Sequence, residues 1–247
     1  MTQLPILPIW AIIPASGIGQ RMQSELPKQY LPLVDKTIIE HTLDRLLSHP
    51  QITGAVLVLS AEDKYWANLH YQSQSKKPLI LAKGGLMRHH SVLNGLEKLC
   101  LEVDQDCYAL VHDAVRPVVS INDLNRLIDV ARQHSGGALL GAPISDTIKQ
   151  LNIDGNVNQT ISRSGLWRAF TPQIFKADLL TDALKFVMEN KLEITDDASA
   201  IEAIGQTPKV VLGSTQNIKI TLPEDLILAR QIWKNQMASS DRRTPSG

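Results

Sequence analysis

The chain has 247 residues, 43% of them apolar and 20% charged, which is typical of a globular protein with a large hydrophobic core. Its 25 basic and 25 acidic residues balance and aromatic residues make up only 4%, so the composition argues against a basic or aromatic surface for nucleic acid. No apolar run is long enough to span a membrane, and Cys100 and Cys107 lack the spacing of metal ligands. We therefore expect a cytoplasmic protein with reduced thiols and with neither nucleic acid nor membrane as a partner.

Short apolar runs alternate with longer amphipathic stretches along the chain. The apolar runs predict strands at residues 10–14, 55–60, 79–82, 108–112, 138–142, 209–212 and 218–221. The amphipathic stretches predict helices at residues 38–48, 91–101, 121–133, 179–190, 198–204 and 224–236. Because nearly continuous apolar strands alternate with helices, the sequence predicts an α/β fold with a doubly wound, mostly parallel sheet. We assign residues 1–237 to one domain and the polar residues 238–247 to a disordered tail.

The first predicted strand leads into the glycine turn Ser16-Gly17-Ile18-Gly19. This turn lacks the spacing of a P-loop, and Met22 occupies the third glycine position of a dinucleotide motif. Its backbone N–H groups can form a nest for anionic oxygens, and Arg21 and Lys28 add positive charge suited to phosphate. Since Pro27 disfavours a helix, we expect Lys28 on an extended loop that folds back over the turn. An ordinary strand-to-helix turn with two solvated cations is the alternative.

Residues 147–162 break the α/β pattern, because they alternate with a period near two around Asp154-Gly155. That dipeptide is favoured in tight hairpins, so the sequence predicts a polar β-hairpin that projects from the body. We interpret it as a dimerisation arm, with a surface hairpin that contacts nothing as the alternative.

Further polar residues follow the predicted strands, where α/β sheets bind ligands. Asp113 stands at a strand end, three residues before Arg116, and is well placed to hold a divalent cation that bridges phosphates. We interpret the adjacent His112 as a structural residue rather than a general base. Lys219 lies in a predicted apolar strand and needs a partner, which a phosphate could supply. A turn aspartate is the alternative for Asp113.

Two later segments supply hydroxyls and a carboxylate suited to a polyol phosphate. LWRAFTPQIF contains Thr171, and ITDDASA contains Thr195 and Asp196. Taken singly, each residue is more typical of a cap or a turn.

Seven segments, taken in chain order, resemble one known family. They are PASGIGQRM, PKQY, GGLMRHHSV, HDAVRP, TPQIF, ITDDAS and NIKIT, and the resemblance to 2-C-methyl-D-erythritol 4-phosphate cytidylyltransferases extends from about residue 10 to residue 233. It implies a Rossmann-like nucleotidyltransferase fold with a β-arm that joins two subunits into a homodimer. It also implies transfer of CMP from CTP to methylerythritol phosphate with Mg²⁺, giving 4-diphosphocytidyl-2-C-methyl-D-erythritol and pyrophosphate on the route to isoprenoids.

The resemblance assigns roles by position. The CTP loop would comprise Ala15, Ser16, Gly17 and Gly19, and Arg21 and Lys28 would stabilise the transition state at the α-phosphate. Cytosine would be bound by Gly85 and Ser91, with Arg88 nearby.

A second group of residues would bind the metal and the acceptor. Magnesium would be bound by Asp113, and Arg163 and Lys219 would position the attacking phosphate. The remaining substrate residues would be Arg116, Thr147, Thr171, Thr195 and Asp196.

Four residues depart from the family pattern. Ser16 replaces an alanine, Leu86 stands where an acid is common, and Ser162 replaces an aspartate before Arg163. Gln216 stands where some members carry an acid, which would leave Asp113 as the one protein carboxylate on the metal.

Three other functions compete with this assignment. A ribitol 5-phosphate cytidylyltransferase shares the HDAVRP and NIK motifs but differs at the loop and lacks GLWRAFTPQ. An NAD-dependent dehydrogenase is disfavoured by the missing third glycine. A non-catalytic nucleotide sensor would not need Lys28, Arg163 and Lys219 together.

Overall fold

The computed structural model describes residues 7–17, 26–103 and 106–241, with side chains described through residue 238. Gly19 and Arg21 of the predicted CTP loop lie outside these residues. The strands are β1 Ile9–Pro14, β2 Pro32–Leu33, β3 Lys36–Thr37, β4 Ile52–Leu59, β5 Leu79–Lys83, β6 Tyr108–Val111, β7 Ala138–Pro143, β8 Ile148–Leu151, β9 Val157–Ile161, β10 Trp167–Lys176 and β11 Lys209–Leu212. The helices are α1 Ile38–Leu47, α2 Trp66–Leu69, α3 Arg88–Glu102, α4 Ile121–Gln133, α5 Ala177–Glu189, α6 Asp197–Ala203 and α7 Pro223–Asp241.

Seven of the strands form the central sheet in the order β11-β7-β10-β6-β1-β4-β5. Strand β1 pairs in parallel with β4 and β6, β4 pairs in parallel with β5, and β7 pairs in parallel with β11. Only β10, among the strands of this described sheet, runs antiparallel to its neighbours β6 and β7. The predicted mostly parallel, doubly wound sheet is confirmed.

Both faces of the sheet are covered by helices. Along β1, Ala11 and Ile13 pack with α1 and α4 on one face, while Trp10 and Ile12 pack with α3 and α5 on the other. Successive side chains of a strand point to opposite faces, so a continuously apolar strand is buried on both sides.

Strand β10 was not predicted. It contains Pro172, which cannot donate a ladder hydrogen bond, and its pairing with β7 shifts register between Phe170 and Gln173. Proline and polar residues within a run are typical of loops, so the sequence pattern concealed a ten-residue interior strand.

Three local predictions were wrong. Residues 218–221 form no strand, although the Ile220 N–H donates to the Val115 carbonyl at 3.0 Å. Lys28–Tyr30 forms a single 3-10 turn rather than an extended loop, because Pro27 restricts the residue before it and its own φ of −58° suits the start of a helix. Helix α7 continues through Asp241 into the predicted disordered tail, since no glycine or proline interrupts residues 238–241. Residues 242–247 lie outside the described part.

The predicted hairpin is confirmed as β8 and β9, which pair antiparallel with each other in a separate two-stranded sheet. Gly155 supplies the positive φ of +82° that its turn requires. Leu151, Ile153 and Val157 are exposed along this arm, so its apolar side chains are not covered by the body of the chain.

Gly137, which precedes β7, has both a positive φ of +73° and no room for a side chain. A Cβ there would lie 2.3 Å from Phe175 Cδ1 and 2.5 Å from the Ile174 carbonyl oxygen. Gly205 has a similar φ of +78°, but a Cβ there would meet nothing within 4 Å.

We expect Gly137→Ala to lower the free energy of unfolding by about 2–5 kcal/mol, because left-handed backbone strain adds to overpacking. Gly205→Ala, the matched control, should cost only the backbone strain of about 1–2 kcal/mol. Urea unfolding measures both values, and equal losses in the two variants would contradict the packing argument.

Candidate functional site

A cavity of about 290 Å³ opens beyond the carboxyl ends of β1 and β6. The residues that follow β1 form one wall of the cavity, the start of α3 forms a second, and the segment before α7 forms a third. Its lining residues are Pro14, Ala15, Ser16, Gly17, Lys28, Gln29, Gly85, Leu86, Met87, Arg88, Asp113, Ala114, Val115 and Lys219. Five segments that the sequence predicted to be functional therefore meet at one place.

Asp113 is the electrostatic centre of this cavity. Its carboxylate lies 2.9 Å from Lys219 Nζ, 3.2 Å from Arg88 Nε and 3.4 Å from Arg116 Nε, although the residue is only 7% exposed. Burial acts to raise the pKa of this carboxyl, but the three cations outweigh burial and hold the pKa well below its usual range. The carboxylate is therefore ionised throughout the physiological pH range.

The backbone around Asp113 is fixed by buried hydrogen bonds. The Asp113 N–H donates to Thr171 Oγ1 at 3.0 Å, and the Arg116 N–H donates to the Asp113 carbonyl at 3.1 Å. His112 Nε2 donates to the Arg116 carbonyl at 3.0 Å, which closes the turn. Thr171 is only 5% exposed and does not border the cavity, so its observed contact is to Asp113 rather than toward a ligand.

Arg116 and Asn217 connect this turn to the segment that carries Lys219. Arg116 Nη1 donates to the Asn217 carbonyl at 2.6 Å, and Asn217 Nδ2 donates to the Thr171 carbonyl at 2.8 Å. The sequence analysis missed Asn217, which is buried and adjacent to the position where the family sometimes carries an acid.

At the side of the cavity that contains the predicted CTP loop, hydroxyl groups join two loops. Ser91 Oγ lies 2.9 Å from Ser16 Oγ and accepts from the Gly85 N–H at 3.0 Å, yet Ser91 has no exposed surface. Direct contact of Ser91 with a base would therefore require rearrangement. Gln29, which the sequence analysis also missed, is 4% exposed and donates to the Ala15 carbonyl at 2.8 Å.

The ITDDAS segment contributes through a residue that was not predicted. Asp196 caps α6 by accepting from the Ser199 N–H at 3.0 Å, which is the structural role that an isolated aspartate suggests. The next residue, Asp197, instead pairs with Arg88 at 2.9 Å. The pair of adjacent acids in the sequence was the signal that could have identified this residue. Which of the two acids points inward is decided by their positions at the start of α6.

Three predicted substrate residues stand apart from the cavity. Thr147, Arg163 and Thr195 are exposed, and none of them borders the cavity in the part of the chain that the structure describes. Arg163 Nη1 donates to the Ser145 carbonyl at the base of the arm. A single chain therefore does not bring these three residues to Asp113.

Comparison with known proteins decides the family. The profile of the IspD family, described as 2-C-methyl-D-erythritol 4-phosphate cytidylyltransferase, matches residues 9–235. A protein of that name from Hahella chejuensis is 46% identical over 233 residues, covering 94% of this chain and 96% of the relative. The one from Vibrio parahaemolyticus is 45% identical over 219 residues, covering 89% and 92%.

The chain belongs to this family. The crystal structure of the Francisella tularensis IspD has a TM-score of 0.78 at 34% identity, and the match covers 91% of this chain and 99% of that one. This IspD family member is accordingly an enzyme that transfers CMP from CTP to 2-C-methyl-D-erythritol 4-phosphate, a step of isoprenoid biosynthesis. Within the described residues, no helix has both the length and the apolar character to cross a bilayer.

His112 is fully buried beside Asp113 and provides a pH-dependent test of the site. Burial is the main cause that lowers its pKa to about 4. Since its ordinary pKa is about 6.5, the unfolded chain binds a proton between pH 6.5 and pH 4 that the folded chain does not. Stability from this group is therefore complete above the unfolded pKa and declines as the pH falls toward 4.

We expect His112→Gln, which can still donate to the Arg116 carbonyl, to reduce the difference in unfolding free energy between pH 7 and pH 4.5 by on the order of 2 kcal/mol. Urea unfolding at the two pH values measures this difference. His70→Gln, at an exposed histidine, is the control and should keep the wild-type difference. An unchanged pH dependence in His112→Gln would contradict the assignment.

Proposed function

We propose that the cavity beyond β1 and β6 is where this enzyme joins CTP to methylerythritol phosphate. The observation that carries the proposal is the positive charge that borders the cavity: Lys28, Arg88 and Lys219 line it together with the ionised Asp113. A reaction between two anions needs such a concentration of positive charge more than it needs a base.

The chemistry requires no general base. The 4-phosphate of the acceptor has a second pKa of about 6, so an anionic oxygen is already available at neutral pH. That oxygen forms a bond to the α-phosphorus of CTP while the bond from this phosphorus to the bridging oxygen breaks, and pyrophosphate leaves with the electron pair. Lys28 and Arg21 would stabilise the negative charge that develops in the transition state. Arg21 lies outside the described residues.

The three cations around Asp113 are not equivalent. Arg88 has a second anchor at Asp197, and Arg116 has a second anchor at the Asn217 carbonyl. Lys219, among the described residues, forms its ion pair with Asp113, and its side chain is 39% exposed, against 12% for Arg116. Lys219 is therefore the cation proposed to pass from Asp113 to a substrate phosphate.

The proposal includes a magnesium ion bound through Asp113. Within the described residues there is no group of three or more metal-ligating acids, histidines or cysteines, so a metal would have few protein ligands. One ionised carboxylate suits magnesium, which is usually held by one or two carboxylates together with substrate phosphates and water. When bound, the ion would neutralise phosphate charge, and Arg88 and Arg116 would keep their second anchors as Asp113 turns to it.

On the nucleotide side, the backbone of five residues is proposed to surround CTP. These residues are Ala15, Ser16, Gly17, Gly19 and Gly85. Ser91 would act by holding the Ser16 and Gly85 loops at a fixed separation, since its hydroxyl is already bonded to both. The proposed location is the cytoplasm, where reducing conditions keep Cys100 and Cys107 as thiols.

Pyrophosphate release is expected only when CTP, methylerythritol phosphate and magnesium are all present, and chelation with EDTA should abolish it. ATP, GTP and UTP should be much poorer, because the backbone groups of the Ser16 and Gly85 loops, which Ser91 joins, are proposed to exclude purines and to read the cytosine edge. Ribitol 5-phosphate is the competing acceptor, and turnover equal to that of methylerythritol phosphate would contradict the proposed substrate.

The proposal also includes a homodimer formed through the arm. Leu151, Ile153 and Val157 expose apolar surface on a two-stranded sheet that the body of the chain leaves uncovered. Arg163 follows the arm, and with Thr147 it is exposed away from its own cavity. An isologous interface would bring both residues to the partner's cavity and create two identical shared sites.

Mixed dimers test this arrangement. Lys28→Ala and Arg163→Ala should each lower kcat by roughly 10²–10³-fold, as the loss of one preorganised charge does. If the two inactive variants are unfolded and refolded together, half the dimers are mixed and each holds one intact site. Activity should then return to about a quarter of that of refolded wild type.

The two variants refolded separately give the baseline for this experiment. If Arg163 serves its own subunit, every site carries one lesion and the mixture stays at that baseline. Sedimentation of the refolded mixture confirms that dimers formed, so a missing recovery would then count against the shared site.

A further inference from the structure

Asp197 is a buried carboxylate that the proposed reaction does not use. It is the first residue of α6 and has no exposed surface. Its two oxygens accept from Arg88 Nη1 at 3.0 Å and from Arg88 Nη2 at 2.9 Å, while Arg88 Nε donates to Asp113 at 3.2 Å. One guanidinium at the cavity wall therefore joins two carboxylates that are far apart in sequence.

The position of Asp197 is fixed from β10 by Gln173. The Gln173 side chain is buried, donates from Nε2 to Asp196 Oδ2 at 2.8 Å and accepts at Oε1 from the Ala198 N–H at 2.8 Å. It therefore holds the residues on both sides of Asp197. Strand β10 also carries Thr171, which accepts from the Asp113 N–H. Residues of this one strand therefore fix the positions of both acids that bind Arg88.

Helix capping does not account for Asp197. Asp196 and Ser199 already form a reciprocal capping box at the start of α6. A buried carboxylate is costly unless it is paired, and a buried ion pair is often no more stable than apolar residues of the same volume. Stability alone is therefore a weak reason for this pair, whereas orientation of Arg88 is a specific one.

Within the described residues, two donors of Arg88 have no partner. A guanidinium has five N–H bonds, and Asp113 and Asp197 occupy three of them. The Arg88 side chain is 29% exposed and borders the cavity. Without Asp197, the two Nη atoms could turn onto Asp113, which is the other carboxylate in contact, and the donors would be withdrawn from the cavity.

We infer that Asp197 is a positioning residue that holds the Arg88 guanidinium at the cavity wall, so that two of its N–H bonds remain for the anionic oxygens of bound CTP. The inference rests on the proposed function in one respect, since it takes this cavity as the CTP site. Arg88 can in this way support Asp113 and a nucleotide together.

The test compares Asp197→Asn in two backgrounds. In the wild-type background, Asp197→Asn keeps the shape but removes the charge, and kcat/KM for CTP should fall roughly 10²-fold, as a small misplacement of a binding group costs. KM for methylerythritol phosphate should change little. In the Arg88→Ala background, the same substitution should cause no further loss of kcat/KM, because there is no guanidinium left to position.

The urea midpoint measures the structural part of the pair separately from its effect on CTP. Arg88→Ala leaves the buried Asp197 carboxylate without its partner and should lower the midpoint, and the double variant should recover part of that loss, whereas Asp197→Asn leaves Arg88 paired with Asp113 and should lower the midpoint less. If Asp197→Asn does not fold, Asp197→Glu takes its place in both backgrounds, because this substitution keeps the charge but displaces it. The control is Asp44→Asn, an acid on α1 held by Lys36 and Tyr71, which should keep wild-type CTP affinity.

Two outcomes would overturn the inference: wild-type kcat/KM in Asp197→Asn, or an equal loss from that substitution with and without Arg88. Calorimetric titration with CTP keeps this test separate from the proposed function. If wild type binds CTP but does not turn over methylerythritol phosphate, the function fails. The ratio of CTP affinities between wild type and Asp197→Asn still decides the role of Asp197.

Discussion

The site depends on one buried carboxylate surrounded by three cations. Asp113 would be costly to bury as an isolated ion, and its neighbours Arg88, Arg116 and Lys219 make its ionisation favourable. Each cation comes from a different part of the chain: the start of α3, the turn after β6 and the segment before α7. The requirement to neutralise one charge therefore specifies how three segments meet.

Second partners keep two of these cations from pairing with Asp113 alone. Asp197 and the Asn217 carbonyl give Arg88 and Arg116 second partners, so the centre is a network rather than a single salt bridge. Such networks keep charged groups in place while remaining able to exchange one member for a ligand. Preorganised charge of this kind is what phosphoryl chemistry demands of a protein.

The sequence predicted the sheet well because its strands are buried on both faces and read as continuous apolar runs. It failed at β10, where Pro172 and the polar residues Thr171 and Gln173 imitate a loop. It also predicted Asp113, Arg88 and Lys219 as site residues, since motif order carries that information. It named Asp196 and not Asp197, because the direction in which each acid of a short helix points depends on distant contacts such as that of Gln173, which is 23 positions from Asp196.

The interruption in β10 has a further consequence. Before Thr171 the strand pairs with β7, and from Gln173 onward it pairs with β6 as well, so its ladder lapses at the two residues between. That lapse frees the backbone of Thr171 from ladder pairing, and its carbonyl accepts from Asn217 Nδ2 instead of from a neighbouring strand. An uninterrupted strand would have consumed its polar backbone in regular pairing. The irregularity thus allows the interior of a sheet to supply a backbone acceptor to Asn217, and a more regular β10 would leave the Asn217 side chain without this partner.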